Sequence, residues 1–217
     1  PYIWQGRDAV LRITGDLQTF DLVHEGATSA LNYIVPTRNE CASCHATNHT
    51  TGALQPIGIK TRHLNRGYHG NATNQLLAWQ QRGWLEGLPP PSVWPQNADW
   101  QDTAETLPHL ARSYLDANCG HCHNPAGAAD TSGLLLDYQD HSRRQMGECK
   151  PPIAAGRGTG GRLYSIVPGA PDASILVFRM AETNPSTRMP EIGRTLVDRR
   201  GLDVATRWVA SLDGVCL

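Results

Sequence analysis

The chain has 217 residues, of which 40% are hydrophobic and 18% charged, enough apolar material for one large or two small globular domains. Its 19 basic and 20 acidic side chains give a formal net charge of -1, so no whole-molecule field favours nucleic acid or an anionic membrane as a partner. No apolar run is long enough to span a bilayer, and no charged-then-apolar leader stands at Pro1, so we expect a mature soluble fragment without a membrane span.

Residues 1–37 have the alternating apolar pattern of short β-strands. The apolar side chains fall in groups separated by polar residues and end before Pro36: Val10 and Ile13, then Phe20, Leu22 and Val23, then Tyr33 to Val35. Alternation with a period of two residues is typical of strands with one covered face. We therefore predict a small β-rich N-terminal extension over residues 1–37.

Residues 38–95 are predicted to form a second unit that ends in a linker. An apolar pattern predicts a helix over residues 71–84, with Thr73 or Asn74 as its N-cap. The stretch Gly87–Pro95 is rich in proline, which lacks an amide donor and fixes its own backbone angle. This composition excludes a helix interior or an inner strand, so we expect the stretch to connect two units.

Residues 96–217 are predicted to form a third unit that contains two amphipathic helices. The first helix runs directly into residues 118–123, and the second closes the chain before Gly214. Their apolar stripes consist of Leu107, Leu110, Ala111, Tyr114 and Leu115, and of Val204, Ala205, Trp208, Val209 and Leu212. The run Gly156–Gly161 lacks the ending of a phosphate-binding loop and is predicted to be a flexible turn.

Two segments, Cys41–His45 and Cys119–His123, share the pattern C-x-x-C-H, which is the signature of c-type haem attachment. Positions i, i+3 and i+4 of a helix share a face, so two thiols can reach the haem vinyl groups while the adjacent imidazole points at the iron. The sequence therefore predicts two covalently bound haem c groups. The predicted thioether cysteines are Cys41, Cys44, Cys119 and Cys122, and the predicted iron ligands are His45 and His123.

Two other functions are known for paired cysteines. Two C-x-x-C pairs can form a four-thiolate zinc site, but such a site does not require the histidine that follows each pair here. A single C-x-x-C pair can act as a redox dithiol, which is expected where a strand crosses over into a helix, and neither pair has a convincing context of that kind. Haem attachment is therefore the preferred interpretation.

A low-spin haem needs a second axial ligand on the far side of the iron, usually Met or His. For the second haem we predict Met189, which lies in Arg188–Pro190 and precedes the closing helix by a short loop. Met146 and Met180 are expected to fill gaps in the core.

No Met follows His45 within the predicted second unit, so the first haem takes another ligand, borrows one from elsewhere or stays five-coordinate. His49 follows His45 by one helical turn and could not easily reach the opposite haem face. His63 and His69 remain as candidates. We predict His63, because its spacing to the helix that follows resembles the spacing of the axial methionine to the closing helix.

Cys149 and Cys216 are left over by the haem motifs. In an oxidising compartment, two remaining cysteines most simply form a disulfide, which we predict here. Haem propionates are commonly bound by basic side chains, for which Lys60, Arg157 and Arg162 are candidates. The sequence does not distinguish among these three.

Several segments in and around the motifs carry a family resemblance. They are Pro1–Trp4, Asn65–Arg66, Asn74–Leu76, Arg112–Cys119, Ala154–Gly158, Pro168–Asp172, Thr187–Arg194 and Trp208–Leu212. Together they resemble a bacterial family of exported di-haem c-type cytochromes that has no assigned reaction, and the resemblance spans nearly the whole chain. It implies cytochrome c-like folding, a periplasmic or extracellular location and haem binding by both C-x-x-C-H motifs, and it supports Met189 as a ligand.

The predicted fold is mainly α, with two cytochrome c-like haem lobes over residues 38–95 and 96–217 and the small β-rich N-terminal extension. The predicted function is one-electron transfer between redox partner proteins. Two alternatives stay open: a peroxidase-like haem enzyme with an open axial site at the first haem, and a haem-conducting subunit of a filament or larger complex. A His/Met haem has a higher potential than a bis-His haem, so two separated potentials are expected.

Overall fold

The computed structural model describes residues 1–24, 26–47, 52–68, 72–153 and 155–217. Six α-helices, four strands and four short 3-10 helices lie within these ranges. Helix accounts for 30% and strand for 15% of the residues, and the rest is turn and loop. Among the described residues, none of the helices combines the length and apolar character that crossing a bilayer requires.

Four strands occupy the N-terminal segment and form two separate antiparallel sheets. β1 (Tyr2–Gln5) pairs with β2 (Asp8–Leu11), and β3 (Asp16–His24) pairs with β4 (Ala27–Val35). Strands therefore occur where the alternating pattern predicts them. Much of their apolar surface faces solvent, including Trp4 at 74% exposure, so this segment adds little to the core.

The helix α1 (Arg38–His45) begins at a capping box. Thr37 Oγ1 accepts a hydrogen bond from the amide of Glu40, and the Glu40 carboxylate accepts one from the amide of Thr37 at 2.7 Å. These reciprocal bonds satisfy amides that a helix start otherwise leaves without partners, and they lower the pKa of Glu40. The box fixes where the helix begins and so places the whole first C-x-x-C-H motif inside it.

Two short helices follow in the first half of the chain. The first is α2 (Thr61–Leu64), and the second is α3 (Gln75–Gln81), which Asn74 caps by accepting a hydrogen bond from the amide of Leu76. Asn74 was one of the two predicted caps, and the helix is shorter than predicted; its predicted first residue, Asn71, lies outside the described residues. The proline-rich stretch contains a 3-10 turn at Pro91–Val93 and no strand or α-helix.

The C-terminal half contains the two longest helices and a shorter one, joined by loops with 3-10 turns at Asp130–Ser132, Gly156–Thr159 and Pro171–Ala173. They are α4 (Leu107–Asn118), α5 (Ile175–Ala181) and α6 (Arg199–Ala210). Both predicted amphipathic helices are confirmed. The closing helix ends at Ala210, before the predicted stop at Gly214. Its last turn tightens there, since the amides of Ser211 and Leu212 donate hydrogen bonds to the carbonyls three residues back, those of Trp208 and Val209.

Helices α4, α5 and α6 enclose the apolar core of the described residues. The core cluster consists of Ala111, Leu115, Leu136, Ile166, Leu176, Val177, Met180, Val204, Ala205, Trp208 and Val209. Packing α4 and α5 against α6 removes the apolar stripes of all three from water, which is the main stabilising contribution to such a fold.

The expected mainly α fold with two cytochrome c-like lobes is wrong. A lobe needs an apolar core of its own, yet Leu76 is the only buried apolar side chain in the described part of residues 38–95. Helices α1 and α2 bury no residue, because both are short and composed largely of polar and charged side chains. The molecule is instead a mixed α and β structure with two small sheets and its core in the C-terminal half. The proposed unit boundaries, after residues 37 and 95, stay predictions.

Cys149 and Cys216 form the predicted disulfide, with their Cα atoms 5.1 Å apart. The bridge joins positions 67 residues apart and ties the C-terminal segment to the core. We expect the Cys149→Ser, Cys216→Ser double variant to lose about 3 kcal/mol of unfolding free energy, because the unfolded chain is then less restricted. Urea unfolding measures this loss, and dithiothreitol-treated wild type is the matched control. Unchanged midpoints in both samples would contradict the prediction.

Helices α4 and α6 cross where Gly201 faces the ring of Tyr114. A Cβ atom on Gly201 would overlap this ring, which is also packed edge-on against Trp100 at a centroid distance of 5.7 Å. We therefore expect Gly201→Ala to destabilise the fold by about 2 kcal/mol through overpacking, measured by urea unfolding. In a Tyr114→Ala background the same change should be neutral or stabilising, because alanine is the better helix former. Equal destabilisation in both backgrounds would refute this explanation.

Candidate functional site

The first C-x-x-C-H motif lies on α1, where Cys41, Cys44 and His45 occupy positions i, i+3 and i+4 of one helix face. The Nδ1 atom of His45 is 3.1 Å from the carbonyl oxygen of Gln55, and the Gln55 amide donates to the His45 carbonyl at 2.6 Å. This double contact holds the segment after α1 against the histidine. Because Nδ1 donates to the carbonyl, the ring can bind a metal only through Nε2.

The second motif begins at Cys119, the C-cap residue directly after α4. The amides of Cys122 and His123 both donate to the Cys119 carbonyl, at 3.0 and 2.9 Å, so the motif forms one further helical turn. The Nδ1 atom of His123 lies 3.1 Å from the carbonyl oxygen of Leu134, and the Leu136 amide donates to the His123 carbonyl at 2.8 Å. Burial lowers the pKa of His123, which favours the neutral imidazole that binds metals.

The two motifs therefore share an arrangement that the sequence analysis missed. In each, the imidazole after the second cysteine donates through Nδ1 to a backbone carbonyl, 10 residues downstream for His45 and 11 for His123. Metal-ligating histidines usually make such a bond, which fixes the tautomer and orients Nε2 toward the metal. The acceptors are main-chain atoms of Gln55 and Leu134, so no side-chain pattern could have identified them.

The fold brings the two motifs into direct contact. Cys44 Sγ and Cys122 Sγ are 3.3 Å apart although 78 residues separate them in the sequence. The contact with Cys122 and a hydrogen bond from His121 lower the pKa of Cys44, whereas the same thiol contact, with burial, raises the pKa of Cys122. The thiol contact thus favours ionisation of Cys44 over ionisation of Cys122.

A third ligand atom lies at this junction. The Cys44, His121 and Cys122 ligand atoms all lie within 4.8 Å of one another, and the three residues are partly buried. Two sulfur ligands and an imidazole suit a soft or borderline metal such as zinc. The C-x-x-C-H pattern predicts no ligand role for His121, because this residue occupies one of its variable positions.

The remaining cysteine of each motif lies outside this group of three. Burial raises the pKa of Cys119 to about 12, so this thiol is neutral at physiological pH. Cys41 is partly exposed, and all four motif cysteines are free thiols. Each motif thus contributes one cysteine to the junction and keeps one apart from it.

The segment that carries Met189 lies beside the second motif. The Met189 amide donates to the Arg179 carbonyl at 2.9 Å, and the charge of Arg179 acts on His123. Five residues beyond Met189, the charge of Arg194 acts on Cys119. Met189 as an axial ligand stays a prediction. Met180 is in the core and Met146 packs against it, as predicted.

His63, the predicted second ligand of the first haem, contacts a carboxylate and a backbone carbonyl in the structure. Its Nε2 atom is 3.2 Å from the Asp116 carboxylate and its Nδ1 atom 3.3 Å from the Gly58 carbonyl. Ligation of the first haem by His63 stays a prediction, and it requires the Nε2 contact with Asp116 to break. The alternatives His49 and His69 lie outside the described residues.

Asp116 is a buried acceptor one turn before the second motif, and its side chain is fully buried. It accepts two hydrogen bonds from Arg62, at 2.5 and 2.6 Å, and others from His63, Asn97 and the Tyr138 amide. Burial alone raises the pKa of Asp116, but the bonds from Arg62 and Asn97 outweigh it and lower the pKa to about 2. This cluster joins α2 to α4 and thereby fixes the first half of the chain against the second motif.

The three candidates for propionate binding have different surroundings. Arg162 lies over the Phe178 ring at 4.2 Å and donates to the Asp172 carbonyl. Burial lowers the pKa of Lys60, and Arg157 is exposed. A propionate role for any of them stays a prediction.

The arrangement has two chemical uses. Each C-x-x-C-H motif offers two thiols and an imidazole oriented through its Nδ1 bond, while the Cys44, His121 and Cys122 junction offers three ligands to a single metal ion. The two uses compete, because both require Cys44 and Cys122. Comparisons with protein-family models, curated proteins and solved structures found no match to this chain.

Proposed function

We propose that this chain is a di-haem c-type cytochrome that passes single electrons between redox partner proteins. The observation that carries the proposal is the shared arrangement of His45 and His123. Each directly follows a C-x-x-C pair and donates through Nδ1 to a backbone carbonyl, which leaves Nε2 as the iron-binding atom. The resemblance to exported di-haem cytochromes supports the proposal and, with it, a periplasmic or extracellular location.

The surroundings of the first motif fit a large apolar group. Leu54, directly before the Gln55 that holds His45, is 72% exposed, and Ile59, four residues after Gln55, is 62% exposed. A porphyrin is flat and mostly apolar, and covering such side chains with it is favourable. The first half of the chain, which has almost no apolar core, would gain one from a bound haem.

A bound haem supplies the ferric–ferrous couple, and the chain sets its potential. The positive charges of Arg179 and Arg194 act on His123 and Cys119, and burial lowers the pKa of both guanidinium groups. Positive charge in partly desolvated surroundings favours the reduced iron, whereas His45 is exposed and its surroundings are screened by water. We therefore propose a higher potential at the second motif. A redox titration with one unsplit couple would count against this assignment.

A haem count tests the proposed function. When the chain is exported from cells that attach c-type haem, the pyridine haemochrome spectrum should give two haems per chain. Its intact mass should exceed that of the polypeptide by two haems. A colourless product with the mass of the bare polypeptide, or of a zinc adduct, would overturn the proposal.

A soft-metal site is a second candidate function, favoured by the convergence of Cys44, His121 and Cys122. Two matched variants separate it from haem binding. Cys119→Ser removes a haem thioether and keeps the three metal ligands, whereas His121→Ala removes one metal ligand and keeps both C-x-x-C-H motifs. If the chain binds haem, only Cys119→Ser should weaken haem attachment. If it binds zinc, only His121→Ala should lower the metal content below one ion per chain.

The haem-enzyme alternative is favoured by the contact between His63 and Asp116, which leaves the first haem without its predicted second ligand. Electron transfer needs two six-coordinate irons, whereas catalysis on peroxide needs an exchangeable position. Carbon monoxide should bind the ferrous first haem of an enzyme and should not bind a six-coordinate carrier.

A further inference from the structure

The junction between the motifs joins equivalent positions. Cys44 and Cys122 are each the second cysteine of a C-x-x-C-H motif, and their sulfur atoms are 3.3 Å apart. Both side chains are partly buried, and a ring nitrogen of His121 lies within 4.8 Å of both sulfur atoms. The two proposed haem-attachment sites therefore contact each other at these partly buried cysteines.

A continuous series of bonds holds this junction together. The Gln55 backbone is bonded to His45 at the end of α1, and a few residues later α2 presents Arg62 to the buried Asp116 of α4. Asp116 lies three residues before Cys119, so the same helix that receives Arg62 delivers the second motif. The positions of Cys44 and Cys122 thus depend on buried, charged hydrogen bonds as well as on the sulfur contact.

On the basis of the proposed function, we infer that the two haems meet through the Cys44 and Cys122 thioethers and form one electronically coupled pair. In a c-type haem the thioether sulfur is bonded to a carbon that is itself attached to the porphyrin ring. Each ring edge therefore lies two covalent bonds from its sulfur, and the two sulfurs are in contact. Electrons can then pass between the rings without a relay side chain, one iron being oxidised as the other is reduced.

Circular dichroism in the Soret region tests the coupling. The comparison uses wild type and two single-haem variants: Cys41→Ser, Cys44→Ser, which keeps the second haem, and Cys119→Ser, Cys122→Ser, which keeps the first. Coupled haems should give a spectrum with paired positive and negative bands that the sum of the two variant spectra does not reproduce. A wild-type spectrum equal to that sum would overturn the inference.

Electron paramagnetic resonance tests the same coupling on wild type alone, so it can be used even if a single-haem variant fails to fold. The ferric signals should be broadened by spin coupling in the oxidised protein and should sharpen when one haem is reduced. Signals of unchanged width would overturn the inference. The haemochrome count distinguishes failure of the coupling from failure of the proposed function. Two haems with additive spectra would refute the coupling alone. A chain without covalent haem would refute the proposed function and the coupling with it.

Discussion

In the proposed di-haem protein, replacing His123 with alanine is expected to convert about half of the low-spin haem to a high-spin form, because one of the two proposed irons would lose its protein imidazole. The haem count should remain at two wherever both thioethers of the second motif form, since pyridine replaces the missing ligand in that assay. Magnetic circular dichroism in the near-infrared measures the low-spin fraction.

The matched control for this variant is His121→Ala, which removes the neighbouring imidazole of the same motif. Because His121 lies beside Cys44 and is not predicted to bind iron, the low-spin fraction should stay unchanged. Equal losses in the two variants, or no loss in either, would contradict the role assigned to His123.

Asp116→Ala is expected to lower the unfolding free energy by about 4 kcal/mol. The substitution leaves the Arg62 guanidinium, whose side chain is only 17% exposed, without its anionic partner, and it removes acceptors for His63 and Asn97. Loss of one member of a buried charged pair is strongly destabilising for this reason. Urea unfolding measures the change. The control is Asp203→Ala, which breaks an exposed ion pair with Arg207 and should cost less than 1 kcal/mol, as is usual at about this exposure.

The same carboxylate should make the fold sensitive to acid. Because the folded pKa of Asp116 is lowered to about 2, its contribution is fully present above the ordinary aspartate pKa and is lost as pH falls through about 2. Unfolding free energy measured between pH 5 and pH 2 should therefore fall, and part of this fall should be absent in Asp116→Asn. A variant that loses stability as steeply as wild type over this range would show that other groups cause the acid response.

Local features of the fold followed well from the sequence. The amphipathic stripes of α4 and α6 are periodic over several turns, so their helices and buried faces were predicted correctly, and Asn74 was one of the two predicted caps. Cysteine counting predicted the bridge between Cys149 and Cys216. Each of these depends on contacts close in sequence or on a small set of alternatives.

The prediction of two lobes was wrong because it was based on the repetition of the motif. Two C-x-x-C-H motifs suggest two equivalent lobes, but residues 38–95, as far as the structure describes them, are mostly polar and bury only Leu76. The contact of Cys44 with Cys122, and the cluster around Asp116, join parts of the chain more than 50 residues apart. Periodicity and spacing carry no information about such pairings. Asp116 in particular looks like an ordinary polar position of a helix until Arg62 is placed against it.

The two carbonyl oxygens that hold the imidazoles have an evolutionary consequence. Every residue has a carbonyl, so positions 55 and 134 can change side chain over long periods while the same atom continues to orient His45 and His123. What must be inherited is the path of the loop that returns to each motif. Insertions or deletions between His45 and Gln55, or between His123 and Leu134, should therefore be selected against more strongly than substitutions at Gln55 or Leu134.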